Sequence, residues 1–173
     1  MSATPVLPSL SSYRTRRSAN GAWMPVVYGL IFVCFTSTAF MGGGHTQIWV
    51  DDAWKAIFGN WRFDVAGPVN FFGRKIGHFF GYGMIGILFR NAWYSSVRAA
   101  SSMLRTRRLP FAASLGVAST FVVANLDEWH QKYLPGRHGS IYDALLDTAG
   151  ALFLNTILWM VLARRRRNAN SGH

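Results

Sequence analysis

Cysteine is almost absent from this chain, which carries a single one, Cys34, inside an apolar run. One cysteine excludes an internal disulfide framework and any metal site built from several thiolates. It leaves the redox compartment of the protein undecided.

Acidic residues are also scarce, since seven Asp and Glu stand against 18 Lys and Arg, for a formal net charge of +11. A balance this basic is typical of proteins with anionic partners, either nucleic acid or a membrane surface. The arginines cluster directly beyond apolar runs, as at 164–167. This position favours a membrane and disfavours nucleic-acid binding.

Apolar segments of strand length and internal repeats are missing as well. The apolar residues instead form runs of about 17–23 residues, which are too long for buried strands and long enough to cross a bilayer as helices. The runs are 25–41, 75–94, 109–126 and 141–163. They predict an all-α fold, a four-helix transmembrane bundle.

This predicted membrane domain covers residues 24–163. Residues 1–23 are polar and predict a disordered cytoplasmic tail, and residues 164–173 predict a basic cytoplasmic tail. The first apolar run also fits a secretory signal peptide, because basic residues precede it. Its length, and the bulky Phe40 and Met41 where small residues would mark a cleavage site, favour an uncleaved membrane helix.

A mixed segment, 42–74, separates the first two runs, and its glycines at 42–44 predict the end of the first helix. Trp49, Trp54 and Trp61 lie near acidic residues, a pattern typical of a segment at the membrane interface. An ordinary amphipathic loop helix fits equally well, and both interpretations stay open.

The second run is rich in glycine. Gly73, Gly77 and Gly81 are four residues apart and therefore share one helix face. Small residues let neighbouring helices approach closely in a membrane. The spacing predicts a close helix contact along this face.

Charge sorts to the two sides of the four predicted spans. Four spans place both termini on one side, and that side holds twelve of the 18 basic residues and none of the seven acids. The positive-inside rule therefore predicts that both termini are cytoplasmic. The loop 127–140 then faces outward, and 42–74 becomes an extracytoplasmic interfacial segment between helices 1 and 2.

Polar side chains concentrate at the predicted outer ends of the last three helices. Spacings of three, four and seven residues put several of them on shared helix faces. They are Lys75, His78 and Tyr82, then Asp127, Glu128 and Gln131, then Arg137, Ser140, Asp143 and Asp147. Such groups are costly at membrane depth unless they are paired or functional, so we expect them to meet in one cluster.

The order of these motifs resembles the VanZ-like family, small bacterial membrane proteins named for a member linked to teicoplanin resistance. The resemblance covers roughly residues 25–163. Its motifs are Lys75-x-x-His78-x-x-x-Tyr82, Asp127-Glu128-x-x-Gln131, and Pro135-Gly136-Arg137-x-x-Ser140-x-x-Asp143 with Gly150. Asp147 departs from the pattern, because family members often have Asn there. The resemblance implies a role in the envelope, at the bacterial cytoplasmic membrane, and a link to glycopeptide susceptibility, but it supplies no reaction.

The cluster suggests roles for its members. Candidate catalytic groups, able to move protons, are His78, Asp127, Glu128 and Asp143. Candidate substrate-binding groups are Lys75, Tyr82, Gln131, Arg137, Ser140 and Asp147.

Structural roles compete with these functional ones. Ser140 and Asp143 have the spacing of a helix capping box. Ion pairs of Asp127 and Glu128 with Lys75 or Arg137 would fasten helix ends, and His78 would serve as a structural hydrogen-bonding group. Asp147 lies a turn inside its helix and needs a partner such as His78 or Lys75. No His-Glu-x-x-His helix is present, so no metal site and no cofactor are predicted.

Two functions follow as hypotheses. In the first, the cluster binds or modulates an anionic lipid or a lipid-linked envelope precursor, with Arg137 and Lys75 on the anion. In the alternative, it is the site of a membrane hydrolase or transferase acting on a lipid phosphate or a lipid-linked sugar. The predicted partners are membrane lipids, and the oligomeric state is left open.

Overall fold

The computed structural model of the chain describes residues 20–38, 43–61, 65–100, 105–134 and 139–171. These residues form five helices and contain no strand, which confirms the all-α prediction for this part of the chain. The helices are α1 (Met24–Thr36), α2 (Gly43–Phe58), α3 (Ala66–Ala100), α4 (Arg105–Gln131) and α5 (Ile141–Ser171). The predicted disordered tail falls mostly on residues 1–19, outside the described residues.

Two helical segments are long and apolar enough to cross a membrane, Thr106–Gln131 and Ile141–Arg165. Only 22% of either apolar window is buried inside the structure, so most of this apolar surface faces outward rather than into a core. A lipid environment accounts for such exposure, whereas the core helix of a soluble protein would be mostly covered.

The other two predicted spans do not meet the same criterion. Helix α1 has 13 residues, which is about 20 Å at about 1.5 Å per residue, against a hydrocarbon core of about 30 Å. Helix α3 has 35 residues but carries Arg74, Lys75, His78 and Arg90 among its apolar residues. The four-span arrangement therefore stays a prediction.

Helix α3 is central and packs against both α4 and α5 through small residues. A methyl group at Gly86 would lie 2.7 Å from the Cβ of Ala151, and one at Gly116 would lie 2.8 Å from the backbone nitrogen of Arg90. Glycine is needed at these two points because the backbones approach too closely for a side chain.

The glycines singled out for close packing were the wrong ones. A methyl group at Gly73, Gly77 or Gly81 would have nothing within 4 Å among its neighbours. These residues share a face, but no helix of the described residues packs closely against it.

Helix α1 lies along α3. The indole of Trp23 donates to the Ser96 hydroxyl at 3.0 Å and meets the ring of Trp93 edge-on at 5.1 Å. Farther along, Gly29 approaches Ile85. Buried Val26 and Val33 complete this contact, which positions α1 as one wall of the groove described below.

Several helix ends differ from the sequence prediction. Helix α2 begins at Gly43, so the predicted glycine break is also a helix start, and the predicted end of the first helix at residue 41 lies outside the described residues. The basic loop predicted for 95–108 is helical at 95–100 and 105–108, and residues 101–104 lie outside the described residues. Helix α5 runs on to Ser171 through 164–167, because Ala and Arg are strong helix formers.

Candidate functional site

Three helix ends meet at one end of the bundle, because α4 runs opposite to α3 and α5. They bring together what we call the polar cluster: Lys75, His78, Tyr82, Asp127, Glu128, Gln131, Ser140, Asp143 and Asp147. The cluster residues of α3 lie on consecutive turns of that helix. The others come from the C-terminal end of α4, from the residue just before α5, and from the first turns of α5. The predicted convergence of these nine residues is what the structure shows.

The phenol of Tyr82 is buried and donates to Asp127 Oδ2 at 2.9 Å. Gln131, one turn after Asp127 on α4, donates its amide to the same oxygen at 2.8 Å. Two donors on one carboxylate oxygen meet its hydrogen-bonding need away from water. Asp127 thus links α3 to α4, and Lys75, its predicted partner, is bound elsewhere.

Lys75 forms an ion pair with Asp143 on α5. Both side chains are partly exposed, so the pair fixes the geometry of the two helix ends more than it stabilises the fold. Lys75 was predicted to hold an anion, but its ammonium group is already occupied by a carboxylate.

Ser140 caps helix α5, as its hydroxyl accepts from the Tyr142 backbone N–H at 3.2 Å. The acid three residues on, Asp143, does not complete the predicted capping box. Glu128 of α4 takes that place instead, because its Oε2 accepts from the Ser140 backbone N–H at 2.8 Å. A carboxylate from a neighbouring helix frees Asp143 to pair with Lys75.

Gly139 explains how the two helices come close enough for this exchange. A methyl group there would overlap the backbone carbonyl oxygen of Glu128. The loop thus presses directly onto α4, and a larger residue would push the cap away from its acceptor.

Asp147 is the most deeply buried charged group, at 1% exposure. Its Oδ2 lies 3.6 Å from Nδ1 of His78, and neither carboxylate oxygen accepts a hydrogen bond from the residues that the structure describes. His78 is 27% exposed, and its ring stacks near that of Tyr82 with centroids 6.0 Å apart. The predicted His78–Asp147 partnership is present, as an ion-pair contact rather than a hydrogen bond.

A groove of about 590 Å³ opens beside the polar cluster, between α1, the start of α2 and α3. We call it the α1–α3 groove. Its walls are mainly apolar and include Phe32, Val33 and Leu88, and its polar lining includes Thr46, Arg74, His78 and Tyr82. Gly77 and Gly81 line it as well, and the absence of their side chains leaves the space open.

His78 and Tyr82 belong both to the groove and to the polar cluster. The cluster residues Asp127, Glu128 and Asp147 are buried behind them and do not line the groove. A ligand in the groove would therefore meet Arg74 and His78 before it met these carboxylates.

Arg137, the predicted anion-binding residue, lies outside the described residues, as do Pro135, Gly136 and His138. His130 is exposed on α4. Within the described ranges, no three His, Cys, Asp or Glu residues are grouped so as to hold a metal ion.

The comparisons with known proteins bear on the family. A model of the VanZ/LLP1 family matches residues 7–163, nearly the whole chain. The chain belongs to the VanZ/LLP1 family. No curated protein and no solved structure matches it. The resemblance seen in the motifs is thereby confirmed, and the polar cluster and the groove are features of a VanZ/LLP1 member.

Sequence reasoning missed the groove in this VanZ/LLP1 protein. The signal was the spacing of Gly77 and Gly81. It was interpreted as a close helix contact, but in the structure these glycines leave the space of the groove open. Arg74 was not among the predicted site residues. No pattern in the sequence indicated that α1 would complete the groove.

Proposed function

We propose that this protein is a multi-pass membrane protein that binds an anionic lipid or a lipid-linked envelope precursor in the α1–α3 groove. The observation that carries the proposal is the combination of apolar walls with a basic edge, Arg74 and His78, in one groove. Small-molecule sites are typically apolar clefts with a few placed polar groups. An acyl chain would lie along Phe32 and Leu88, and the anionic group would meet Arg74.

Three of the four carboxylates of the polar cluster already have protein partners, and the fourth, Asp147, lies behind His78 and does not line the groove. Asp143 is paired with Lys75, Asp127 accepts from Tyr82 and Gln131, and Glu128 accepts from the Ser140 backbone. Protein donors thus already engage these three carboxylates. The guanidinium group of Arg74 is well suited to binding the anionic group of the ligand, because its planar set of N–H donors matches the oxygens of a phosphate.

Charge distribution supports placing this site at the outer face of a bacterial cytoplasmic membrane. The basic ends of α3, α4 and α5 lie at the opposite end of the bundle from the polar cluster. The positive-inside rule assigns that basic end, and both termini, to the cytoplasm. Family membership supports the envelope setting and motivates a test of glycopeptide susceptibility.

The test is lipid mass spectrometry of protein purified in mild detergent, for the parent, Gly81→Leu and Gly73→Leu. Both glycines lie on α3 with open space above them, but only Gly81 lines the groove. We expect a specific anionic lipid or lipid-linked glycan to be retained by the parent and by Gly73→Leu. In Gly81→Leu its amount should fall about tenfold, corresponding to about 1.4 kcal/mol.

The retained species identifies the substrate class, either a phospholipid or a wall precursor. Equal bulk lipid in all three proteins would overturn the proposal. Teicoplanin susceptibility of an expressing bacterial host, compared between the same variants, tests the envelope role separately.

The contact between His78 and Asp147 favours a second candidate function, an enzyme acting on a lipid phosphate or a lipid-linked sugar. A carboxylate that orients an imidazole is a common arrangement for general acid–base catalysis. His78 faces the groove while Asp147 lies behind it, so His78 would move the proton and Arg74 would hold the phosphate.

His78→Gln separates the two functions, because an amide forms hydrogen bonds but does not transfer protons at neutral pH. Under binding alone, the variant retains the lipid and the phenotype. Under catalysis, it retains the lipid but loses the hydrolysed or transferred product, which mass spectrometry of the parent would detect.

A further inference from the structure

A second groove, of about 640 Å³, lies between α4 and α5 toward the basic end of the bundle. We call it the α4–α5 groove. It follows α4 from Leu109 to Phe121, a length of about 18 Å at about 1.5 Å per residue. Its lining is mainly apolar, and its length suits much of an acyl chain.

Arg90 of α3 is the charged group in this lining. It is only 6% exposed, and its Nε and Nη2 donate to Asn91 Oδ1 at 3.3 and 2.8 Å. No carboxylate of the described residues forms an ion pair with it. A guanidinium has five N–H donors, and a buried cation without a counter-ion is costly. The groove is therefore matched to an anion.

Several of the remaining polar groups of the lining offer acceptors, beside the donor N–H of the Trp159 indole. Asn155 is 6% exposed; its amide nitrogen donates to the Ala151 carbonyl at 2.8 Å, while its Oδ1 has no partner among the described residues. The hydroxyls of Ser114 and Thr156 donate to carbonyls of their own helices, so they too offer lone pairs to the groove. Acceptors of this kind suit a ligand that donates hydrogen bonds.

We propose that the α4–α5 groove binds an anionic phospholipid whose headgroup carries free hydroxyls, as phosphatidylglycerol does. The phosphate meets Arg90, a headgroup hydroxyl donates to Asn155 Oδ1, and an acyl chain follows Val117 and Phe121. The basic ends of α3, α4 and α5 lie at the same end of the bundle, and such residues attract anionic lipids to a membrane surface. This site is separate from the α1–α3 groove and stands independently of the function proposed for it.

The test measures thermal unfolding of the full-length protein in mild detergent while lipid is added. Phosphatidylglycerol should raise the melting temperature. Phosphatidic acid, which lacks headgroup hydroxyls, should need at least tenfold more lipid for the same rise. Net-neutral phosphatidylcholine and soluble glycerol phosphate should have no effect, because one lacks the net charge and the other lacks the acyl chain.

Arg90→Gln should require at least tenfold more phosphatidylglycerol for the same rise. Its matched control is Arg98→Gln, an exposed arginine on the same helix outside the groove, which should behave as the parent. Asn155→Ala should lose the preference for phosphatidylglycerol over phosphatidic acid, a change that a merely structural role would not produce.

Ala118→Phe keeps the proposal testable if Arg90→Gln does not fold. Ala118 is exposed and lines the groove, so a phenyl ring there blocks the lipid without entering the core. A parent-like response in Ala118→Phe would overturn the proposal. So would an equal response to phosphatidylcholine, or a response to glycerol phosphate as large as that to phosphatidylglycerol. The titrations are repeated in a Gly81→Leu background, in which the α1–α3 groove is blocked. Arg90→Gln and Ala118→Phe should have the same effects there, which separates this site from the α1–α3 groove.

Discussion

At the scale of single residues, Asp147 carries the greatest energetic cost in the polar cluster. A carboxylate with 1% exposure loses its hydration, and the His78 imidazole, 3.6 Å away, is the side chain that faces it among the described residues. Asp127, by comparison, has two hydrogen-bond donors on one oxygen. We therefore expect Asp147 to serve function rather than stability.

Replacing Asp147 by Asn tests this view. The amide has the same shape and no charge. His78 keeps access to other hydrogen-bond partners, because its ring is 27% exposed at the groove. We expect a melting temperature at or above that of the parent, since removing a poorly partnered buried charge relieves a penalty of about 1–3 kcal/mol. We also expect the effect of the protein on teicoplanin susceptibility of the expressing host to be lost. Thermal unfolding in detergent and the host phenotype are the two measurements.

Asp143→Asn is the matched control for that prediction. It removes a carboxylate one turn away whose ion pair with Lys75 is partly exposed, so it should cost no more than about 1 kcal/mol. If Asp147→Asn lowered the melting temperature more than Asp143→Asn does, the carboxylate of Asp147 would be a structural element of the bundle.

At the scale of the helices, glycines serve two opposite purposes on α3. Gly86 removes a side chain so that α5 can approach, because a methyl group there would lie 2.7 Å from Ala151 Cβ. Gly81, five residues earlier, removes a side chain so that a groove stays open. Composition alone does not separate these purposes, because both appear as glycines in an apolar run.

Gly86→Ala and Gly81→Ala should therefore have opposite effects on the free energy of unfolding. Gly86→Ala forces α3 and α5 apart, and overpacking of this kind costs about 1–3 kcal/mol. Gly81→Ala adds a methyl group in open space and gains up to about 1 kcal/mol of helix propensity. The free energy of unfolding of both variants is measured by adding a denaturing detergent to protein held in a mild one. Equal destabilisation by the two substitutions would show that Gly81 also lies in a packed contact.

The positions of the long helices could be predicted from the sequence, whereas the partners of their polar side chains could not. Long apolar runs predicted helices where α4 and α5 lie, and the i, i+4 spacing of Asp143 and Asp147 predicted that both would join one cluster. Partner choice was not predictable, because it depends on the rotation of each helix about its axis. Hence Lys75 pairs with Asp143 instead of Asp127, and Glu128 caps α5 from another helix.

At the scale of the whole molecule, the exposed apolar surface and the two ends of unlike charge are the dominant features. Large hydrophobic side chains are exposed along α1, α3, α4 and α5, far more than a soluble monomer leaves uncovered. A bilayer would cover this surface. Helix α3 is the decisive case, because its 35 residues span about 52 Å at about 1.5 Å per residue although its sequence is only partly apolar.

Cysteine labelling on the two ends of α3 tests whether this helix crosses the membrane. The background variant is Cys34→Ser, because the natural cysteine is exposed. Gly67→Cys and Ala99→Cys both add a thiol at an exposed position, and Gly67 has open space for it. In intact bacterial spheroplasts, an impermeant maleimide should label Gly67→Cys and not Ala99→Cys. Both should be labelled after the membrane is opened.

The labelling pattern also decides where the grooves face. Outside labelling at residue 67 alone puts the polar cluster and the α1–α3 groove at the outer leaflet and Arg90 toward the inner one. Labelling of both positions from outside would mean that α3 does not cross, because its charged residues keep it out of the hydrocarbon. The polar cluster would then bridge one non-spanning helix and the ends of two spans. Lys132→Cys, exposed just beyond α4, tests α4 in the same way. Because the positive-inside rule predicts a cytoplasmic start for this basic helix, the variant should be labelled from outside together with Gly67→Cys.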